Sequence, residues 1–160
     1  MSGDKTTHNG TGDTLGVFSL QDAPGHLLRR CQQLAVDLYT AEVGSNGLTP
    51  RQFALLLAIF QKSGISQVDL VRQTGIDRST VAEMVARLIK RGLLIRQRTE
   101  SDRRTNALAV TPEGERQLRA AQPGVARAQD RILDPIPAGK RAEFITLLRQ
   151  LVDTLEARPQ

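Results

Sequence analysis

Apolar residues recur at helical spacing along most of this chain and switch to strand-like alternation in one short region only. Leu27, Cys31, Leu34 and Leu38 form a stripe, with Leu28 and Ala35 beside it, which predicts a first helix over about Pro24–Glu42. Asp22 is placed to cap it, Pro24 suits its first turn, and Gly44-Ser45-Asn46-Gly47 breaks it. A second helix opens on Thr49-Pro50-Arg51-Gln52, where the Thr49 and Gln52 side chains can satisfy each other's backbone amides. Its run from Phe53 to Phe60 is so apolar that near-complete burial is expected, up to the break at Ser63-Gly64. A short third helix follows, capped by Ser66 with Asp69 three residues on, and it ends at Thr74 before Gly75. The fourth begins at Asp77, buries Val81, Met84, Val85, Leu88 and Ile89, and closes at Gly92. Strands are predicted over Leu93–Thr99 and Asn106–Val110, joined by a tip from Glu100 to Thr105. Thr111-Pro112-Glu113 announces a fifth helix reaching about Leu133, with a kink or break at Pro123-Gly124, because proline removes an amide and crowds the preceding turn. Beyond Pro135 and Pro137 a sixth helix runs to about Ala157 on the stripe Phe144, Leu147, Leu148, Leu151, Val152 and Leu155.

The segment Asp77–Gly114 therefore reads as amphipathic helix, strand, polar tip with two adjacent arginines, strand and helix start. A DNA duplex offers a major groove that admits a helix and a narrow minor groove that attracts arginine. One segment supplying both parts is a winged helix-turn-helix. The fold class expected is mainly α with a small β-hairpin wing, flanked by N- and C-terminal dimerisation helices. Those flanking helices carry apolar stripes that the minimal winged helix does not use, and a second copy of the chain is the commonest cover for such stripes.

Charge sharpens this picture. The 160 residues hold 22 Lys and Arg against 17 Asp and Glu, a net charge of +5, with a pI near 10.1. From Asp77 to Arg104 there are eight basic residues (Arg78, Arg87, Lys90, Arg91, Arg96, Arg98, Arg103, Arg104) against four acids, so most of the net charge falls in this segment. Double-stranded DNA is the partner that such a patch fits. With no Trp and few aromatics, stacking on single-stranded bases is not the expected mode. Cys31 is the only cysteine, which excludes an intrachain disulfide and fits a reducing, cytoplasmic location. No apolar run approaches a bilayer span, the N-terminus lacks a secretory pattern, and residues 1–22 read as a flexible tail rich in Gly, Thr and Asp.

The candidate chemistry is that of binding. There is no Gly-rich phosphate loop, nucleophile elbow or His-Glu-x-x-His, so no enzyme activity and no cofactor is expected. Two histidines, His8 and His26, with one cysteine do not make a zinc site, and no metal is expected. Arg103 and Arg104 at a hairpin tip after an aspartate point to DNA, whereas Arg87, Lys90 and Arg91 suit a helix C-terminus equally well. Asp102 either pairs with Arg104 at the surface or orients it. Cys31, on the stripe with Leu27 and Leu34, reads as a buried inert thiol.

The order of elements resembles the multiple-antibiotic-resistance regulator (MarR) family. So does the wing: Asp102-x-Arg104, then Leu108-x-Val110-Thr111-x-x-Gly114, is similar to that family's D-x-R and L-x-[LIV]-T-x-x-G signature. Leu48–Ile59 and Arg87–Arg96 match as well, and the resemblance spans about Leu27 to Ala157. It implies a homodimeric, ligand-responsive transcription regulator, usually a repressor, released from a palindromic operator by a small effector. It also implies a division into residues 23–157 as the family domain, with 45–111 as the DNA-binding part and 23–44 and 112–157 as dimerisation helices. Matching positions would put Ser79, Thr80 and Glu83 against the major groove, with Asp77 and Arg78 at the start of that helix. Arg104 would enter the minor groove, steadied by Asp102, with Arg87, Arg98 and Arg103 completing the DNA-binding set. Glu83 departs from the family, where many relatives carry a basic residue; a glutamate can accept from cytosine N4 but repels phosphate. The first helix lines the effector pocket in that family, which assigns effector binding to His26, Arg29, Arg30 and Gln33 and suggests a small aromatic carboxylate. Two alternatives stand beside this: a redox-sensing regulator that uses Cys31, as some relatives do, and a DNA-binding module with no ligand.

Overall fold

The structure is a computed structural model that describes residues 19–99 and 102–157, with the backbone alone for residues 98, 99 and 102–106. Most of the expected tail, residues 1–18, lies outside the described residues. The elements run α1 (Pro24–Val43), α2 (Pro50–Gln61), α3 (Gln67–Thr74), α4 (Arg78–Lys90), β1 (Leu94–Thr99), β2 (Asp102–Val110), α5 (Pro112–Leu133) and α6 (Arg141–Glu156). Short 3-10 turns at Leu20–Asp22 and Ala138–Lys140 precede the first and last helices. Asp22 ends the first of these turns rather than capping α1, and the Ala23 carbonyl accepts from the Leu27 amide at 3.0 Å.

Two compact units divide at Leu34/Ala35, within α1. In the smaller one α1 exposes its stripe: Leu27, Leu28 and Leu34 are about half exposed and Cys31 is exposed. This corrects the expectation of a buried thiol. Helical spacing lines these residues up on one face, but within a single chain that face has no cover.

In the larger unit, Ala35 onward, one core joins α2, α3, α4, the hairpin and the start of α5. Leu55, Leu56, Leu70, Val81, Val85, Leu88, Leu93 and Leu94 are fully buried in it. The capping box of α2 forms as the spacing predicts: the Gln52 amide donates to Thr49 Oγ1 at 3.3 Å and the Thr49 amide to Gln52 Oε1 at 3.1 Å. Near-complete burial of α2 does not hold, because Leu55, Leu56, Ala58 and Ile59 are buried while Phe60 is 47% exposed. The last turns of α1 dock on α2 through Tyr39, whose ring meets Phe53 edge-on and whose hydroxyl donates to the Leu48 carbonyl at 2.8 Å. Burial pushes that phenol up to about 12.

α5 runs unbroken through Pro123-Gly124, against the expected kink or break. Pro123 is exposed, so the missing helix bond lies on the solvent side. Gly124 is buried where the Glu42 carbonyl comes so close that a β-carbon would lie 2.6 Å from its oxygen. Arg127 Nε and Arg131 Nη1 then hold the Glu42 carboxylate at 2.7 and 3.0 Å, one and two turns further along the helix. Packing against the end of α1 thus supports the helix across the residue pair least suited to it. α6 buries no residue, and Ile145, Leu147, Leu148, Leu151, Val152 and Leu155 are each between 38 and 56% exposed. Among the described residues no helix is long and apolar enough to cross a membrane.

Candidate DNA-reading surface and effector cavities

α3 and α4 form the helix-turn-helix, joined by Gly75, Ile76 and Asp77. Gly75 ends α3 in the left-handed conformation, φ 65°, which glycine adopts without strain. Buried Ile76 fixes the turn to the core. Asp77 then caps α4: one of its oxygens, Oδ1, accepts from the Thr80 amide at 2.9 Å and from the Ser79 hydroxyl at 2.6 Å. These donors hold the Asp77 carboxyl well below the usual carboxylate range. The core stripe of α4 leaves Arg78, Ser79, Glu83 and Arg87 exposed, with Thr80 half-buried. Because the Ser79 hydroxyl proton is committed to Asp77, the oxygen is left as an acceptor for whatever lies in front of it. Glu83 pairs with Arg87 at 2.9 Å with both side chains largely exposed. The negative charge that would repel phosphate is therefore offset one turn away, by an interaction weak enough to exchange.

The hairpin pairs Leu94 with Val110 through Arg98 with Asn106, then shifts register so that Thr99 meets Asp102. Strand β2 thus begins at Asp102, not at Asn106, and the double arginine lies in the irregular start of the strand rather than at a free tip. Pairing reaches further because the three extra residues are absorbed on β2. The side chains of Arg98, Asp102, Arg103 and Arg104 lie outside the described residues. The base of the wing is fully described. Thr111 Oγ1 donates to the Gly92 carbonyl at 2.6 Å and accepts from the Gly114 amide at 3.0 Å, so one hydroxyl ties the end of α4 to the cap of α5. At Gly114 a β-carbon would collide with the Leu93 carbonyl and with Val110. The T-x-x-G spacing has its physical reason here: the threonine staples, and the glycine lets α5 touch the hairpin.

In the N-terminal unit His26, Arg29, Arg30 and Gln33 do share one face and border a depression of about 380 Å³ with Leu34. One helix supplies all of its walls, so in a single chain it is wide open. Two further cavities lie in the larger unit and were missed from the sequence. An apolar groove of about 510 Å³ runs between α2 and α5, lined by Phe53, Leu57, Phe60, Leu118 and Val125, with Arg119 on its rim in an ion pair with Glu115. The signal was available: Phe53, Leu57 and Phe60 make a second stripe on a helix whose other stripe, Leu55, Leu56 and Ile59, already fills the core. The other cavity, about 300 Å³, lies among the α1–α2 connection, the end of α4 and α5. Nothing in the sequence spacing points to it.

A helical core that presents one helix by its capped N-terminus, beside a hairpin fastened to the next helix, defines a winged helix DNA-binding protein. Comparison with known proteins narrows this. The MarR family profile matches residues 46–105. The transcriptional regulator HosA of Escherichia coli O157:H7 is 32% identical over 137 residues, covering 86% of this chain and all of HosA. Among solved structures, the PcaV transcriptional regulator of Streptomyces coelicolor in complex with its natural ligand is 38% identical, with a TM-score of 0.77 over 85% of this chain and 96% of that one. BpsR of Bordetella bronchiseptica, whose DNA binding is regulated by 6-hydroxynicotinic acid, is 29% identical, with a TM-score of 0.79 over 85% and 97%. The chain belongs to the MarR family of transcription regulators.

Proposed function

We propose that this protein is a homodimeric repressor that binds a palindromic operator and is released from it by a small aromatic carboxylate. The observation that carries the DNA half is α4: its core side is buried, and its capped N-terminus leaves Arg78, Ser79 and Thr80 at the surface. Ser79, Thr80 and Glu83 face the major groove, Asp77 and Arg78 set the helix start, and Arg87, Arg98 and Arg103 meet phosphates. Arg104, oriented by Asp102, takes the minor groove. The dimer half rests on the uncovered apolar faces of α1 and α6. Residues 45–111 act as the DNA-binding part, and residues 23–44 and 112–157 as the dimerisation helices.

The effector half rests on the convergence of His26, Arg29, Arg30 and Gln33, which suits a carboxylate. A relative regulated by 6-hydroxynicotinic acid, a ring carrying a carboxylate, supports the ligand class. A dimer reads two half-sites only when its recognition helices lie about one helical turn apart, roughly 34 Å. A ligand that prefers another spacing releases the DNA, and about 1–3 kcal/mol of coupling gives a useful response. Reciprocity requires that DNA weaken the ligand by the same factor. Isothermal titration of 6-hydroxynicotinate or salicylate with and without operator tests this. Affinity lower with operator present, and a response blunted by Arg30→Ala or His26→Ala with DNA affinity kept, is the expected result. Equal affinity in both titrations rules the mechanism out, and a response lost in Arg119→Ala instead moves the effector to the α2–α5 groove.

A further inference from the structure

The cavity at the end of the recognition helix is bordered by Arg91, which has no carboxylate partner among the described residues. Arg91 is the C-cap of α4, its amide bonded back to the Arg87 carbonyl at 3.0 Å. Among the described residues its guanidinium meets two amide oxygens, Gln52 Oε1 at 3.4 Å and Gln117 Oε1 at 3.5 Å, and no carboxylate. Both contacts are long for a charge-assisted hydrogen bond. Gln52 Oε1 is moreover already the acceptor of the α2 capping box. A capping box accepts glutamate at that position as readily as glutamine. The chain therefore carries a neutral residue where a carboxylate would have closed an ion pair with Arg91. Arg116 stands on the same cavity, held at one edge by Glu113 through Nε at 2.7 Å and Nη2 at 2.6 Å. Leu48 and Ala121, both buried, and half-buried Val43 supply an apolar wall.

We propose that the cavity bounded by Arg91, Arg116, Gln117, Val43, Leu48 and Ala121 is a second ligand site, one that takes a small organic carboxylate with a compact apolar body. The carboxylate replaces the two long amide contacts of Arg91 with charge-assisted ones, while Arg116 stays neutralised by Glu113 and serves as wall. The apolar body lies on Val43, Leu48 and Ala121. A volume of about 300 Å³ accommodates a one-ring carboxylate. The site shares no lining residue with the His26–Gln33 cluster. Since Arg91 caps α4, occupancy acts directly on the end of the helix that carries the DNA-reading residues.

Benzoate titrated into the ¹⁵N-labelled full chain tests this, in the wild type and in His26→Ala. Saturable shifts are expected at the Arg91 Nε–H, the Gln117 side-chain amide and the backbone amides of Gly47 and Ile89–Gly92, and they persist in His26→Ala. Persistence there separates this site from the effector site proposed above. Arg91→Gln should weaken benzoate about tenfold or more, the loss of one charge-assisted contact. Gln52→Glu keeps the capping box and gives Arg91 an internal carboxylate, so it should weaken benzoate as much while the fold is kept. It decides the matter even where Arg91→Gln fails to fold. Shifts that never saturate, shifts reproduced by equal concentrations of chloride, or undiminished binding in Gln52→Glu would overturn the proposal. So would saturation by inorganic phosphate without saturation by benzoate.

Discussion

Asp77 has two duties at residue scale. It caps α4, and it takes the Ser79 hydroxyl proton, so Ser79 faces outward as an acceptor. An acceptor there suits a base amino group, adenine N6 or cytosine N4. Asp77→Ala should lower Tm and DNA affinity together, whereas Asp77→Asn, which still caps, should restore most of the Tm. Thermal melts alongside operator titrations separate the two effects, and an unchanged Tm in Asp77→Ala would remove the cap from the explanation. Arg104 carries the other residue-scale expectation. Its place in the wing comes from the Asp102-x-Arg104 spacing and the start of β2. Arg104→Ala should weaken operator binding by roughly 1–3 kcal/mol per site and relax the preference for narrow minor grooves. Wild-type affinity in that variant would show that the wing does not touch DNA.

Elements are fastened to one another at single points. Gly114 is where α5 meets the hairpin base, and an added methyl there meets backbone rather than a movable side chain. Gly114→Ala should cost about 1–3 kcal/mol in chemical denaturation, as overpacking does. Glu42 is the second fastening, between the end of α1 and α5. Arg127 and Arg131 hold its carboxyl below the ordinary glutamate value. A lowered folded pKa adds stability above the unfolded value, and that stability is lost as pH falls through the folded one. Glu42→Gln should therefore melt below wild type at pH 7, and the gap should close as the solution is acidified past the usual glutamate range. A gap independent of pH would mean that the glutamate acts by shape rather than charge.

At the scale of the whole molecule, the apolar faces of α1 and α6 are exposed in the single chain, and a dimer is expected to cover them. Leu34, Leu147 and Leu155 are each more than half exposed in the single chain. Light scattering at micromolar concentration should give the mass of two chains, and a monomer would remove the basis for reading paired half-sites. Cys31 lies on the same α1 face. Its reactivity toward a thiol reagent should fall on dimerisation if a second copy covers that stripe. Operator affinity should decline steeply with salt, by about 0.9 in the log–log slope for each phosphate neutralised.

Local chemistry determined most of the elements from the sequence alone. Thr49-x-x-Gln52, Ser66-x-x-Asp69, Asp77-x-x-Thr80 and Thr111-x-x-Gly114 are contacts across one helical turn, so spacing suffices to find them. The same holds for the core face of α4 and for the helix-turn-helix and wing that define the family. The co-facial set His26, Arg29, Arg30 and Gln33 was legible for the same reason, as i, i+3, i+4 and i+7 neighbours. What lay beyond the sequence depends on which surfaces meet. Pro123-Gly124 reads as a breaker until Gly124 is placed against the Glu42 carbonyl, which turns a weak point into a docking point. Cys31, on the apolar stripe of α1, reads as a buried thiol, and the single chain leaves it exposed. Phe53, Leu57 and Phe60 become a groove only because α5 passes beside α2 without filling it. Arg91 is 39 residues from Gln52 and 26 from Gln117, and no periodicity relates them. Periodicity reports only neighbours within a turn or two, whereas cavities and long-range side-chain contacts are made by residues that the folded chain alone brings together.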